Sequence, residues 1–78
     1  MNLRLQPVQV ATGSKDQESR LVFNDGFLVA VLIRLSDEHD VDAGRWFLEA
    51  GFGLVECIRP ATFADLDEAQ DWISQQFA

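Results

Sequence analysis

The residues best equipped for chemistry lie in one short acidic segment, residues 36–44. Its carboxylates and its single imidazole belong to Asp37, Glu38, His39, Asp40 and Asp42. Carboxylate oxygens are the ligands that calcium prefers, and Glu38, Asp40 and Asp42 have the alternate spacing of a calcium-binding loop. However, Ala43 stands where such a loop needs glycine, and one imidazole supplies too few nitrogen ligands for a transition metal. We therefore predict a solvated loop that holds at most a helical turn capped by Ser36; a weak cation site and a partner contact are the alternatives.

The sequence offers no complete catalytic set. His39 titrates near neutral pH and has the chemistry of a general base, but acidic residues surround it. Cys57 is the only cysteine and His39 the only histidine, and they lie about eighteen residues apart in the sequence. A nucleophilic thiol needs a neighbouring base such as histidine to activate it. Gly51-Phe52-Gly53 lacks the third glycine of a phosphate-binding turn. We predict that the protein is not an enzyme, with no catalytic, cofactor-binding or metal-binding residue and no cofactor.

The two tryptophans are the other residues with binding potential. Trp46 lies in a predicted strand and Trp72 on the flank of a predicted helix. Aromatic side chains in such positions fill cores or anchor interfaces more often than they stack on ligands. We predict a packing role, with a ligand pocket between helix and sheet, lined by Trp46, Phe52 and Trp72, as the alternative.

The chain is organised around an apolar stretch, Phe27 to Leu35. Asp25-Gly26 precedes it, a pair that tolerates the positive φ angles of a type I′ turn and predicts a tight hairpin with the strand before it. Alternate residues of a strand share a face, so Phe27, Val29, Val31, Ile33 and Leu35 share one face and Leu28, Ala30, Leu32 and Arg34 the other. Because both faces are largely apolar, this strand is predicted to lie in the centre of a sheet.

Three further strands and one helix complete the predicted fold. The strands are expected at about residues 3–11, 19–23 and 45–56. The first is predicted to be an edge strand or to carry a bulge at Pro7. The strand at residues 45–56 is predicted to have a bulge or close contact near Gly51 and to split, with residues 54–58 as its second piece. Asp65 and Glu68 have the spacing of a capping box, and they begin an amphipathic helix at about residues 65–77. The predicted class is α+β, a four-stranded, mostly antiparallel β-meander followed by one C-terminal helix on one sheet face.

Size and charge bound the function. The 78 residues predict a single domain spanning residues 1–78. A net charge of -7 disfavours nucleic acid and anionic lipid, because both require a basic surface. One cysteine permits no internal disulfide, and no segment has the apolar length of a membrane span or a signal peptide. We predict a reduced, cytoplasmic protein with no nucleic-acid or membrane partner.

One helix cannot cover both faces of a four-stranded sheet, and an exposed apolar face usually marks an interface. The uncovered face is predicted to carry one of two sets of residues from the central strand, either Phe27, Val29, Val31 and Ile33 or Leu28, Ala30 and Leu32. We therefore predict a small acidic interaction or accessory domain that self-associates through a sheet face or an edge strand, as a homodimer or with another protein. Two alternatives stay open. One is a small-ligand-binding domain or minor enzyme subunit with a pocket between helix and sheet. The other is an acidic inhibitor that mimics nucleic acid through Asp65, Asp67, Glu68 and Asp71.

Overall fold

The computed structural model describes residues 2–11, 18–55 and 62–77. Within them, one antiparallel sheet has its strands in chain order and is followed by one α-helix. The strands are β1 (Leu3–Gln9), β2 (Glu18–Asn24), β3 (Phe27–Arg34), β4 (Trp46–Gly51) and β5 (Thr62–Phe63), and the helix is α1 (Leu66–Gln75). The predicted α+β class and its antiparallel meander with a C-terminal helix are confirmed; the two-residue strand β5 was not predicted.

The β2–β3 hairpin turns at the predicted pair. Asp25 and Gly26 have φ angles of 52° and 89°, and both central residues of a type I′ turn need positive φ. Asn24 and Phe27 flank the turn as cross-strand partners. The turn therefore sets the pairing of the two strands from a purely local signal.

A β-bulge interrupts this pairing two residues further on. Val22 pairs with Ala30, whereas Phe23 pairs with Leu28, so Val29 is an extra residue in β3. Because cross-strand partners share a face, Leu28 lies on the side of Phe23 and not on the side of Ala30. The predicted alternation is therefore wrong at the start of β3.

A second bulge lies in β4. Leu48 pairs with Leu32 and Ala50 pairs with Val31, which leaves Glu49 without an opposite residue. Strict alternation along this strand predicts that Trp46, Leu48, Ala50 and Phe52 share one face. That prediction is wrong for Ala50, which lies on the opposite sheet face from Leu48. The predicted second piece of this strand, residues 54–58, falls largely outside the described residues.

Gly51 ends β4 at a close backbone contact, as predicted for this part of the strand. A Cβ atom at this position would collide with the carbonyl oxygen of Val55 and lie 2.9 Å from its carbonyl carbon. Val55 is fully buried in the core. Gly51 is thus required by the turn that folds residues 52–55 back onto the sheet.

The main core lies between α1 and one face of the sheet. Ala69 and Ile73 of the helix are fully buried against it. The sheet and the turn after β4 contribute Val22, Val29, Ala30, Leu32, Trp46, Leu48, Val55 and Phe63. The amphipathic helix therefore covers one sheet face, as its apolar spacing predicts.

The predicted N-terminal cap of α1 is confirmed. A carboxylate oxygen of Asp65 accepts a hydrogen bond from the backbone N–H of Glu68 over 2.8 Å. In return, the Glu68 carboxylate accepts from the backbone N–H of Ala64 over 2.6 Å. The reciprocal bond thus reaches one residue further back than in the usual capping box. The bond to Asp65 satisfies an N–H group that the helix leaves unpaired, and the bond from Ala64 fixes the residue before the cap.

Candidate interaction surface

The sheet side opposite α1 carries apolar residues that solvent still reaches. The register places on this side Arg4, Gln6, Val8, Ser19, Leu21, Phe23, Leu28, Val31, Ile33, Phe47, Ala50 and Thr62. Ser19 and Ile33 are buried. The apolar members that are half-buried or exposed are Val8, Leu21, Phe23, Leu28, Val31, Phe47 and Ala50; we call these seven residues the open face.

The side that carries the open face is poor in charge. Among the described residues, none of its register-paired positions is acidic, although the whole chain has 13 Asp and Glu. Arg4 is the one charged residue among them, and its guanidinium carbon lies 5.1 Å from the centroid of the Phe23 ring. Glu49, at the β4 bulge, is exposed and has no cross-strand partner. Apart from Glu49, the described residues of this side thus carry no like charge that would repel a second acidic molecule.

The free edge of β1 is poorly suited to strand addition. The Asp25 N–H donates to the Asn2 carbonyl over 3.2 Å, and bonded pairs alternate along an antiparallel ladder. The backbone groups of Arg4, Gln6 and Val8 therefore bond to β2. The backbone groups of the residues between them, which include Pro7, point away from the sheet. Proline removes one donor there, which is a common protection of edge strands. The edge-strand prediction is confirmed, and the uninterrupted β1–β2 register shows no bulge at Pro7.

The acidic segment forms a short 3₁₀ helix, Asp37–Asp42, so the predicted helical turn is confirmed. Ser36 lies at its N-cap position, but its side chain makes no capping hydrogen bond. Asp40 interrupts it with a positive φ of 51°. The side chains of Glu38 and His39 lie outside the described set. Among the side chains that are described, no three Asp, Glu, His or Cys residues are grouped for a metal ion, and the weak cation site stays an untested alternative to the predicted solvated loop.

The three aromatic residues predicted to line a pocket are not brought together. Trp46 is buried in the core, with the Arg20 guanidinium carbon 5.2 Å from its ring centroid. Trp72 packs on Phe63 with ring centroids 5.7 Å apart. Phe52 is exposed beyond the other end of β4, about 20 Å from Trp46 at about 3.3 Å per strand residue. The packing role of both tryptophans is confirmed.

A shallow groove of about 530 Å³ adjoins the open face at Val8. Its lining residues are Pro7, Val8, Gln9, Glu18 and Arg20. The carboxylate oxygens of Glu18 lie 3.5 Å from a guanidinium nitrogen of Arg20 and 3.7 Å from one of Arg34. The two charged residues that line the groove, Glu18 and Arg20, already pair with each other. The groove is therefore a weak candidate for binding a charged ligand.

Sequence reasoning missed most of the open face. It considered only residues of β3, whereas Leu21 and Phe23 of β2 and Phe47 of β4 contribute equally. The alternation of β2, joined to β3 through a two-residue turn, carried the signal for Leu21. The inclusion of Leu28 depends on the Val29 bulge.

No family model, curated protein or solved structure matches this chain. The longest helix in the described part of the chain, α1, has ten residues, and no helix found there is long and apolar enough to cross a membrane. Cys57 lies outside the described residues. The open face and the charge around it are therefore the features of the described residues that point to a function.

Proposed function

We propose that this protein is a small non-enzymatic interaction domain that self-associates through its sheet. The observation that carries the proposal is the open face, an apolar surface without acidic residues at its register-paired positions, in a chain of net charge -7. Apolar surface removed from water stabilises an association by about 25 cal/mol per Å². The proposal includes an accessory role in the cytoplasm, supported by the single cysteine, since disulfides belong mainly to oxidising compartments.

The dimensions of the sheet predict a weak association. Four strands about 4.8 Å apart and about seven residues long, at about 3.3 Å each, cover about 19 by 23 Å. A standard stable interface buries about 800 Å² on each partner, and the flat area of the sheet, roughly 440 Å², is about half of that. We therefore expect a dimer that dissociates on dilution.

The charge of the molecule predicts the effect of salt. Two copies of net charge -7 repel each other at long range, and dissolved ions screen this repulsion within about 8 Å at physiological ionic strength. Adding salt should therefore strengthen the dimer. An association between the acidic surface and a basic partner should instead weaken, so the sign of the salt effect distinguishes the two.

Light scattering behind size exclusion, across a concentration series at low and moderate salt, tests the proposal. We expect the molar mass to rise from 8.8 kDa toward twice that value as concentration increases, and to do so at lower concentration when salt is added. Reducing agent in all samples prevents disulfides through Cys57. A mass of 8.8 kDa at every concentration up to several hundred micromolar would contradict the proposal.

A further inference from the structure

We infer that the occupant of the open face is a second copy of this chain, packed face to face about a two-fold axis near Val31, rather than a strand added at a sheet edge. This inference rests on the proposed self-association and adds the surface and the centre of symmetry to it.

The two edges of the sheet argue against strand addition. Strand β1 has seven residues, and Pro7 removes one of its outward-pointing N–H donors. A continuous ladder with an added strand would need every one of these outward-pointing donors. At the opposite edge, the two described residues of β5 pair with Trp46 and Phe47 of β4. Beyond them, β4 ends after four more residues at Gly51, where the turn through Val55 packs against the strand. Strand-to-strand dimers need long unprotected edges, so the sheet face is left as the larger contact.

Charge selects a second copy over a basic partner. The exposed acids of α1 and of the 3₁₀ segment, such as Asp67, Asp71 and Asp42, lie outside the open face. A basic protein would be drawn to those acids, because opposite charges steer encounter. Another molecule of net charge -7 can approach closely only where acids are sparse, and among the described residues the open face is such a surface, with Glu49 at the β4 bulge as its one exposed acidic neighbour.

The pairing around Val31 locates the centre of the contact. Val31 has Leu21 on one side and Ala50 on the other, and all three belong to the open face. In a two-fold interface the same patch meets itself, so the residue at its centre faces its own copy. Two sheets packed in this way lie about 10 Å apart with interdigitated side chains. Val31 is therefore expected to be buried by Val31 of the other copy and its neighbours.

Two valine-to-lysine variants provide a matched test. Val31→Lys places a charge at the centre of the open face, whereas Val41→Lys makes the same change on the 3₁₀ segment, where Val41 is 92% exposed. Both change the net charge from -7 to -6, which lowers general repulsion. We expect Val31→Lys to raise the dissociation constant of the dimer at least tenfold and Val41→Lys to leave it within about twofold of the unmodified protein, by light scattering.

Two further variants distinguish the possible failures. Leu28→Lys, at a residue 37% exposed on the open face, replaces Val31→Lys if circular dichroism shows that variant unfolded. Gln9→Pro removes another outward donor from the β1 edge and is expected to leave the dimer intact. A dimer that survives the lysine substitutions on the open face would overturn face-to-face packing while leaving self-association standing, most clearly if Gln9→Pro dissociates it. A monomeric unmodified protein would overturn both.

Discussion

Leu32→Ala is expected to lower the free energy of unfolding by about 2–5 kcal/mol, the range for truncating a buried leucine. Leu32 is 0% exposed and lies in the core between the sheet and α1. A chain of 78 residues has a total stability of about 4–12 kcal/mol at about 0.05–0.15 kcal/mol per residue. One lost side chain therefore removes a large part of the stability.

The matched control is Leu54→Ala. Leu54 is 63% exposed, and a surface truncation usually changes stability by less than about 0.5 kcal/mol. Urea titration, monitored by tryptophan fluorescence, measures the free energy of unfolding of both variants. The protein is kept dilute enough to be monomeric. The buried Trp46 side chain supplies a signal from the core. Equal losses of stability in the two variants would show that the helix-covered face is not the core.

Gly51→Ala is expected to lower the free energy of unfolding by about 2 kcal/mol or more, within the range known for overpacking. The added Cβ would meet backbone atoms of Val55 and lie 3.1 Å from its Cγ1 atom. Backbone cannot move aside as the end of a flexible side chain does. Val55 must therefore shift, and the turn that buries it must loosen.

Gly53→Asn is the control for Gly51→Ala. Gly53 has a φ of +62°, and a Cβ atom added there would meet no atom within 4 Å beyond its chain neighbours. Asparagine tolerates such a positive φ better than most other residues, so we expect a loss below about 1 kcal/mol. Thermal unfolding resolves the difference, since 1 kcal/mol corresponds to about 4–8 °C in a domain of this size. A larger loss at Gly53 than at Gly51 would contradict the close contact between Gly51 and Val55.

Local signals were sufficient to predict the hairpin turn and the helix. Asp25 and Gly26 favour positive φ by their own chemistry, and Asp65 with Glu68 caps a helix by spacing alone. Neither signal depends on the rest of the fold. The bulges at Val29 and Glu49 depend on how neighbouring strands fit together. Gly51 indicated irregularity near the second bulge, but no residue type near Val29 signals the extra residue there.

The open face was predicted in part. An excess of apolar residues on the central strand indicated that one side of the sheet would lack a helix. The sequence could not show which side, because that depends on how α1 packs. The bulges then moved Leu28 and Ala50 to the open side. A single extra residue reverses every later side chain relative to a simple alternation.

The most direct test of self-association through the open face is the change of backbone amide chemical shifts on dilution. Residues buried by a partner change their environment when the dimer dissociates. We expect the largest changes at Leu21, Val31 and Phe47, and little change at Asp67 and Asp71 on the exposed side of α1. Changes confined to α1 or to the β1 edge, or no changes across the concentration range, would contradict the account.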